Sequence, residues 1–262
     1  MNEPVSVEVH LLPEIVAPER FRGGLAIVVD VLRATTTMVH ALAAGCERII
    51  PVATVEEARL RAEAIPRERR LLYGERDGEP LPGFDLGNSP HEFTEELCRG
   101  KTAVATTTNG TRAILHARLA DKILLGAFVN FSAVCAEIAD HPGPIHILCS
   151  GWSGRIALED CIFAGAATDF LQRRRAATMN DSARLCWDAY EHHGVVLVSA
   201  FELSEAGRHL LALGYDDDVK AAATIDRFGV VPTVTPGDPT TIEVGAVRLD
   251  CQFFEGDSGL PG

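Results

Sequence analysis

The sequence predicts an α/β protein, a layered α/β/α structure around a mixed sheet that forms one compact unit over residues 1–262. A short, continuous apolar run such as Leu25–Val29 is typical of a strand buried on both faces, and residues 146–149 predict a further buried strand. They alternate with stretches of helical periodicity that stop at glycine, as residues 38–45 do at Gly45. Because no low-complexity linker or shift in composition divides the chain, a single unit is the simplest arrangement.

The same patterns place the elements in chain order. Strands are predicted over residues 5–11, 25–29, 48–52, 71–73, 102–106, 123–126, 146–149 and 230–234. Helices are predicted over residues 38–45, from the cap Thr54 onward, and over residues 91–97, 113–119, 133–139, 157–173, 181–191 and 204–213. A last hairpin, residues 241–244 and 246–254, predicts a β-rich C-terminal segment. Residues 74–90 are rich in Gly and Pro and predict a long loop, which is usually a functional or mobile feature.

Charge and composition narrow the classes of partner. A formal net charge of −13 argues against nucleic acid, whose phosphates such a chain would repel. No apolar run is long enough to span a bilayer, and the N-terminus lacks the pattern of a signal peptide, so we expect a cytoplasmic protein without a membrane partner. A small anionic ligand is compatible with this charge if arginines gather locally. The sequence leaves a homo-oligomer open.

The seven cysteines are scattered along the chain. None of them forms a CxxC pair, so the sequence does not suggest a zinc site. In a cytosolic protein most of them are expected to be reduced and buried as small apolar groups, with disulfides the minor alternative.

Two stretches combine a strand, three threonines, an arginine and a helix. The first, residues 25–45, carries Asp30, Arg33 and the triplet Thr35, Thr36 and Thr37. The second, residues 102–119, carries a triplet at 106–108 followed by Arg112. An internal duplication of a strand–loop–helix unit is one explanation. The threonines either cap the helices or line an anion site at the helix starts.

The polar residues at the predicted strand ends favour one kind of chemistry. Carboxylates are hard oxygen ligands that suit Mg²⁺, and arginines with hydroxyls suit the oxygens of a phosphate or a sulfonate. Histidines are few near these motifs, and the GxxxxGK[ST] pattern of P-loop NTPases is missing. Metal-assisted hydrolysis of a phosphoester therefore fits best.

Five segments carry a resemblance to a known family: DVLRATTT (30–37), GER (74–76), GFDLGNSP (83–90), TTTNGTRA (106–113) and ALED (157–160). In order and spacing, the chain resembles the 2-phosphosulfolactate phosphatase family over roughly residues 5–235. The resemblance implies a phosphoric monoester hydrolase that uses Mg²⁺ to convert 2-phosphosulfolactate to sulfolactate and phosphate, a step of coenzyme M biosynthesis. The chain departs from the family pattern at Trp152 and Ser153 and at Ala157, where the family has Ser, so substrate identity is less fixed than reaction class.

The residues and the resemblance together give a hypothesis for the site. The predicted Mg²⁺ ligands are Asp30, Glu159 and Asp160. The predicted catalytic residues are Asp30, Arg33, Glu75 and Arg112, with Glu75 as a further ligand or general base and the arginines on phosphate and sulfonate. The residues predicted to bind substrate are Arg76, Asn88, Ser89, Thr107, Thr108, Asn109 and Gly110.

Direct attack by metal-activated water is the favoured route. A covalent intermediate on Asp30 is the second route, although the second Asp that haloacid-dehalogenase-type phosphatases carry two positions later is replaced by Leu32. Two other functions stay open. One is a cysteine hydrolase that uses Cys149, which ends a buried strand before a Gly-rich turn. The other is a non-catalytic binder of small phosphorylated or sulfonated metabolites.

Overall fold

The computed structural model describes residues 4–245, which form eleven β-strands and ten α-helices with short 3₁₀ turns. The strands are β1 (Val5–His10), β2 (Leu25–Val29), β3 (Arg48–Pro51), β4 (Arg70–Arg76), β5 (Glu79–Pro80), β6 (Thr102–Thr106), β7 (Lys122–Gly126), β8 (Ile145–Cys149), β9 (Ala177–Met179), β10 (Pro232–Thr235) and β11 (Thr241–Val244). The helices are α1 (Ala34–Ala43), α2 (Val55–Glu63), α3 (Glu95–Cys98), α4 (Gly110–His116), α5 (Phe131–Ile138), α6 (Leu158–Arg174), α7 (Asp181–His193), α8 (Leu197–Leu203), α9 (Glu205–Ala212) and α10 (Asp216–Ala222).

All eleven strands belong to one mixed sheet in the order β5-β4-β6-β3-β11-β10-β7-β2-β8-β1-β9, which confirms the predicted fold class. The sheet holds two parallel sets, one of β7, β2, β8, β1 and β9 and one of β3, β6 and β4. The hairpin of β10 and β11 lies between them and pairs antiparallel with β7 and β3. The two parallel sets therefore run in opposite directions, and the C-terminal hairpin joins them. The predicted arm at residues 246–254 lies outside the described residues.

Helices cover both faces of the sheet, because β2 is apolar throughout and must be buried on both sides. Ile27 belongs to a core cluster with Phe163 of α6. Its neighbour Val28 belongs to a second cluster with Met38 of α1 and Ile114 of α4. Each such side chain contributes roughly 1.5–3 kcal/mol when it is fully buried. Successive residues of one strand thus define the three layers.

The second cluster also joins the two parallel sets. It contains Val28 of β2 together with Tyr73 of β4 and Ala103 of β6, although five strands separate β2 from β4 in the sheet. Helices α1 and α4 pack against these strands from one side. The shared core brings residues at the ends of distant strands into a common neighbourhood.

The segment predicted as a loop over residues 74–90 is partly a β-hairpin. Strand β4 continues to Arg76 and pairs antiparallel with β5. Asp77 and Gly78 make the turn with φ of 52° and 84°, a left-handed backbone that glycine adopts readily. Because Gly and Pro interrupt the apolar pattern of this segment, apolar periodicity alone does not predict the hairpin.

Two helices begin earlier than predicted, and three further elements were not predicted. Helix α1 begins at Ala34, so the first threonine triplet forms its first turn, and α4 begins at Gly110. Strand β9 and helices α8 and α10 were not predicted, because α8 follows a β-branched run and α10 opens with three aspartates. Over residues 4–245, the structure has no helix with both the length and the apolar character needed to cross a bilayer.

Candidate active site

A cleft opens where β2, β4 and β6 end, with α9 along its other side. Seven of the residues predicted for the site line it: Asp30, Arg33, Glu75, Asn88, Thr107, Thr108 and Asn109. The lining also includes Asp77, Trp152 and His209, which sequence reasoning did not assign to the site. The structure therefore brings together most of the predicted polar residues from three separate strand ends.

Asp30 is the buried carboxylate directly after β2. Its Oδ1 accepts the backbone N–H of Ala34 at 3.0 Å. A Cβ on Gly110 would lie 2.7 Å from the Asp30 Oδ2 and 2.4 Å from the Ala34 Cβ, so α4 can approach this carboxylate only with glycine at its start. Gly110 thus shapes the site but does not line the cleft.

Burial raises the pKa of Asp30 to about 6. Hydrogen bonds from the Ala34 N–H and the Ser150 hydroxyl act in the opposite direction, and the negative charge of Glu75 adds to the increase. The carboxyl group therefore exchanges its proton close to neutral pH, which is suitable for a group that must change its charge or bind a cation near pH 7.

The first threonine triplet holds the backbone and does not form an anion site. Thr35, Thr36 and Thr37 are buried, and each hydroxyl donates to a backbone carbonyl at 2.8–2.9 Å. The acceptors are the carbonyls of Gly126, Val31 and Asn88. With their hydroxyls donated in this way, the three side chains secure the start of α1 to the neighbouring β7 and to the loop before α3.

The second triplet contributes to the cleft through Thr107 and Thr108. Glu75 accepts the Thr108 N–H at 2.7 Å and the Thr108 hydroxyl at 3.2 Å, and it also accepts the Gly78 N–H at 2.9 Å. The Thr107 hydroxyl accepts the N–H of Thr111 at 3.1 Å inside α4. Three donors fix the orientation of the Glu75 carboxylate, and this carboxylate in turn holds the loop after β6.

Arg33, a further residue of the cleft lining, contacts protein groups on several sides. Its Nη1 lies 2.6 Å from Asp218 Oδ2, its Nη2 donates to the Gly78 carbonyl at 2.7 Å, and its guanidinium carbon lies 4.3 Å from the centre of the Tyr215 ring. Asp218 also accepts the Ser89 hydroxyl at 2.6 Å. Sequence reasoning missed Asp218, because helix α10, which carries it, was not predicted.

Asp160, a predicted metal ligand, lies buried in the first turn of α6. Its Oδ1 accepts the Val31 N–H at 2.9 Å. Its Oδ2 accepts the Gly151 N–H at 3.1 Å and the Ser150 hydroxyl at 3.3 Å. Burial, with the charges of Asp30 and Glu159, raises its pKa well above the usual value. Asp160 thus ties α6 to the loops after β2 and β8 from behind the cleft.

Glu159, beside it, is buried and does not line the cleft. Its Oε2 has no hydrogen-bond partner among the described residues. Burial raises its pKa to about 7, and the charge of Asp30 adds to this increase. A buried carboxylate oxygen without a donor is costly, and a cation would supply the missing partner.

We compared these carboxylates with the requirements of Mg²⁺. Oxygen donors, an unpartnered Glu159 oxygen and the raised pKa values of both carboxyl groups fit a divalent cation bound near Asp30 and Glu159. Within residues 4–245, however, one set of three His, Cys, Asp or Glu side chains has all its ligand atoms within 4.8 Å of one another, namely Glu8, His10 and His146. Asp30, Glu159 and Asp160 do not form such a set. The fit is therefore to an ion held by one or two carboxylates, as is usual for Mg²⁺.

Two of the predicted arginines, Arg76 and Arg112, do not line the cleft and instead contact other protein groups. Arg76 donates to the Thr106 hydroxyl at 2.9 Å and to the carbonyl of Glu75 at 2.7 Å. Arg112 forms an ion pair with Glu14 at 3.0 Å, and its side chain is 59% exposed. The described lining therefore contains a single arginine, Arg33, and three acids. The roles predicted for Arg76 and Arg112 stay predictions.

Cys149 is buried on β8 and does not line the cleft. A hydrogen bond with the Cys161 thiol, and then burial, raise its pKa well above the usual value. Because the thiolate is the nucleophile in cysteine hydrolases, a buried thiol with a raised pKa gives that alternative no support.

Comparisons with known proteins show the family of this chain. A family profile described as 2-phosphosulpholactate phosphatase matches residues 10–237. A probable 2-phosphosulfolactate phosphatase of Symbiobacterium thermophilum is 35% identical over 86% of this chain and 97% of its own length. Proteins with the same name from Caldanaerobacter subterraneus (36%, covering 80% and 88%) and Thermotoga petrophila (40%, covering 81% and 89%) are also similar. The chain belongs to the 2-phosphosulfolactate phosphatase family.

Proposed function

We propose that this protein hydrolyses 2-phosphosulfolactate to sulfolactate and inorganic phosphate, with Mg²⁺ as its cofactor. The reaction class and substrate are supported by relatives that carry this name over most of their length. The Mg²⁺ requirement is our inference from the charges of the cleft. A place in coenzyme M biosynthesis rests on the resemblance to the family.

The observation that carries the cofactor proposal is an imbalance of charge. Three acids, Asp30, Glu75 and Asp77, line the cleft, and the charge of its arginine, Arg33, is already balanced by Asp218. A substrate with a phosphate, a sulfonate and a carboxylate would be repelled from such a site. A divalent cation held at Asp30 would offset this negative charge and so remove the repulsion.

Asp30 and Glu159 are the residues that would hold the ion. When bound, Mg²⁺ neutralises charge on the transferred group and lowers the pKa of a bound water. Asp30 supplies a carboxylate whose proton exchanges near neutral pH, oriented by the Ala34 N–H at 3.0 Å. We propose that Asp30 orients the attacking water and that no covalent intermediate forms on it.

The loop after β6 is proposed to bind the phosphate oxygens. Thr107, Thr108 and Asn109 line the cleft together, and Glu75 fixes the loop through the Thr108 N–H at 2.7 Å. Glu75 uses both of its oxygens in this way, so its proposed contribution is to position donors around the substrate. Trp152 and His209, whose rings lie 5.6 Å apart, face this loop and limit the size of the substrate.

A phosphate-release assay tests the proposal. The purified protein is incubated with phosphosulfolactate, phospholactate and phosphoglycolate, each with Mg²⁺ and with EDTA. We expect release that depends on Mg²⁺ and is fastest with phosphosulfolactate. Equal phosphate release with Mg²⁺ and with EDTA would refute the proposed Mg²⁺ requirement. Faster release from another of the three acids would refute the proposed substrate. Tight binding of phosphosulfolactate without release under any divalent cation would favour a non-catalytic binder.

A further inference from the structure

A second group of ligating side chains lies on the face of strands β1 and β8, apart from the cleft. Glu8 and His10 project from β1, and His146 projects from β8 at the position paired with Glu8. None of the three lines the cleft. Their ligand atoms all lie within 4.8 Å of one another. Two imidazoles and one carboxylate therefore converge on one point of the sheet.

The distances match a metal site that is almost formed. His10 Nε2 and His146 Nδ1 lie 3.2 Å apart. Two ligand nitrogens at tetrahedral angles around Zn²⁺ are separated by about 3.3 Å, given metal–nitrogen bonds of about 2.0–2.1 Å. Glu8 Oε2 lies 4.0 Å from the His10 nitrogen and 3.8 Å from the His146 nitrogen. A small rotation of the Glu8 carboxylate toward the histidines would complete a three-ligand set.

Both histidines are kept neutral, as metal ligation requires. Burial, together with the neighbouring His146, lowers the pKa of His10 to about 4. Burial also lowers the pKa of His146. A hydrogen bond at 3.2 Å between two neutral rings needs a proton on one of the two facing nitrogens. A shift of that proton to the far nitrogen of the same ring frees both lone pairs without loss of a proton from the protein.

The surroundings orient the three side chains toward one another. Arg20 donates to both Glu8 oxygens at 2.5 and 2.9 Å and so holds the carboxylate, as hydrogen-bonded groups behind metal ligands commonly do. The Phe21 ring lies 5.3 Å from the His10 ring and 5.4 Å from the His146 ring. A Cβ on Gly24 would lie 2.8 Å from His146 Cδ2, so the chain leaves room for this imidazole.

We propose that Glu8, His10 and His146 bind a divalent transition metal of the Zn²⁺ type, at a site separate from the phosphatase cleft. Imidazole nitrogens select this class of metal over Mg²⁺, which prefers oxygen ligands. Glu8 and His10 keep 16% and 10% of their side-chain surface exposed, which leaves a path for the ion and a position for water. The bound metal would link β1 to β8 across the sheet. This site does not depend on the proposed function.

A Co²⁺ titration of the full-length protein, first stripped with a chelator, tests the proposal in buffer that contains saturating Mg²⁺. We expect one equivalent to bind, with a visible spectrum of nitrogen and oxygen ligation that lacks thiolate charge transfer. Zn²⁺ should displace Co²⁺. At a hundredfold excess over its Kd, Zn²⁺ should raise the melting temperature by roughly 5 °C or more.

Three variants separate this site from other ligands. His10→Gln and Glu8→Gln should each weaken Co²⁺ binding at least tenfold, while His116→Gln, which removes another histidine beside Phe21, should not change it. A melting curve in EDTA confirms that each variant folds. A dissociation constant weaker than about 100 µM for the wild type, a thiolate spectrum, or unchanged binding in both Glu8→Gln and His10→Gln would overturn the proposal.

Discussion

Arg33 and Asp218 form a buried ion pair at 2.6 Å that connects the start of α1 to α10, 185 residues further along the chain. Both side chains are 3% exposed. Asp218 also holds Ser89, so one carboxylate positions two residues that were predicted to bind substrate. The pair ties the C-terminal helices to the wall of the cleft, and it leaves Arg33 with little net charge to offer an anion.

Asp218→Asn should destabilise the protein strongly. The change leaves the Arg33 guanidinium buried without a counter-charge, and breaking a buried pair in this way costs about 3 kcal/mol or more. Urea unfolding at pH 7.5 measures the loss. The adjacent Asp217→Asn is the matched control, because this exposed residue pairs with Lys220 at the surface. Equal unfolding midpoints for the two variants would contradict the assigned role of Asp218.

Local pattern was sufficient to predict the residues that follow the main strands. Asp30 and Thr107 stand directly after apolar runs, and the structure puts both in the cleft. Within each parallel set, the polar residues that follow the strands lie along one edge of the sheet. The two sets run in opposite directions, and the core that β2 shares with β4 and β6 brings these residues together. The sequence therefore predicted the mixed sheet and seven of the cleft residues.

Contacts between residues far apart in the chain could not be predicted from local sequence pattern. Asp218 of α10 contacts Arg33 of the cleft lining, and His209 of α9 lines the cleft itself. The positions of both helices depend on packing against the finished core. The hairpin of β10 and β11 enters the middle of the sheet and reverses one parallel set, a choice of partner that neither strand encodes by itself. Arg112 matched the family motif, but its side chain turns outward to Glu14.

Asp30→Asn should abolish phosphate release, by a factor of about 10³ or more, and leave the fold intact. Asparagine keeps the shape but removes the charge that orients water and cation. Initial rates with Mg²⁺ and phosphosulfolactate, together with a circular dichroism spectrum, measure both effects. Asp188→Asn, at an exposed position of α7, controls for the loss of one aspartate. Turnover within a few-fold of wild type would rule out the proposed role of Asp30.

Cys149→Ala should retain phosphate release within about twofold of wild type. The Cys149 thiol is buried on β8 away from the cleft lining, and its raised pKa disfavours the thiolate. We expect a loss of about 1 kcal/mol of stability from the small cavity left in the core. A folded variant whose phosphate release falls by two orders of magnitude would instead support the hypothesis of a cysteine hydrolase.

Trp152→Ala should loosen the selection of substrate. The indole lines the cleft, and Arg155 stacks over it with its guanidinium carbon 4.5 Å from the ring centre. Removal of this wall should lower kcat/KM for phosphosulfolactate about tenfold and lower it less for bulkier phosphorylated acids. Trp187→Ala is the control, since that indole donates to Asp169 on α6. If the ratio of the two kcat/KM values, for phosphosulfolactate and for a bulkier acid, is the same in the variant and in wild type, Trp152 does not contribute to substrate selection.

Glu159→Gln should make the metal-free protein more stable at high pH and leave it nearly unchanged near pH 4.5. Glu159 has a pKa of about 7 in the folded state, above the value of 4.5 expected when unfolded. The folded state therefore holds the proton more tightly, and wild type loses stability as the pH rises from about 4.5 to 7. Glutamine carries no such penalty, so the gain in the free energy of unfolding should reach about 3 kcal/mol above pH 7.

Urea unfolding in EDTA at a series of pH values measures this difference, with Glu191→Gln, at an exposed position of α7, as the control for loss of one charge. Taking the difference between variant and wild type removes the opposing contribution of the buried histidines, which both proteins share. Millimolar Mg²⁺ should shrink the gain, because an ion at Asp30 and Glu159 stabilises only the chain that keeps both carboxylates. A gain independent of pH would show that Glu159 does not hold its proton in the folded state, and a gain unaffected by Mg²⁺ would place the ion elsewhere.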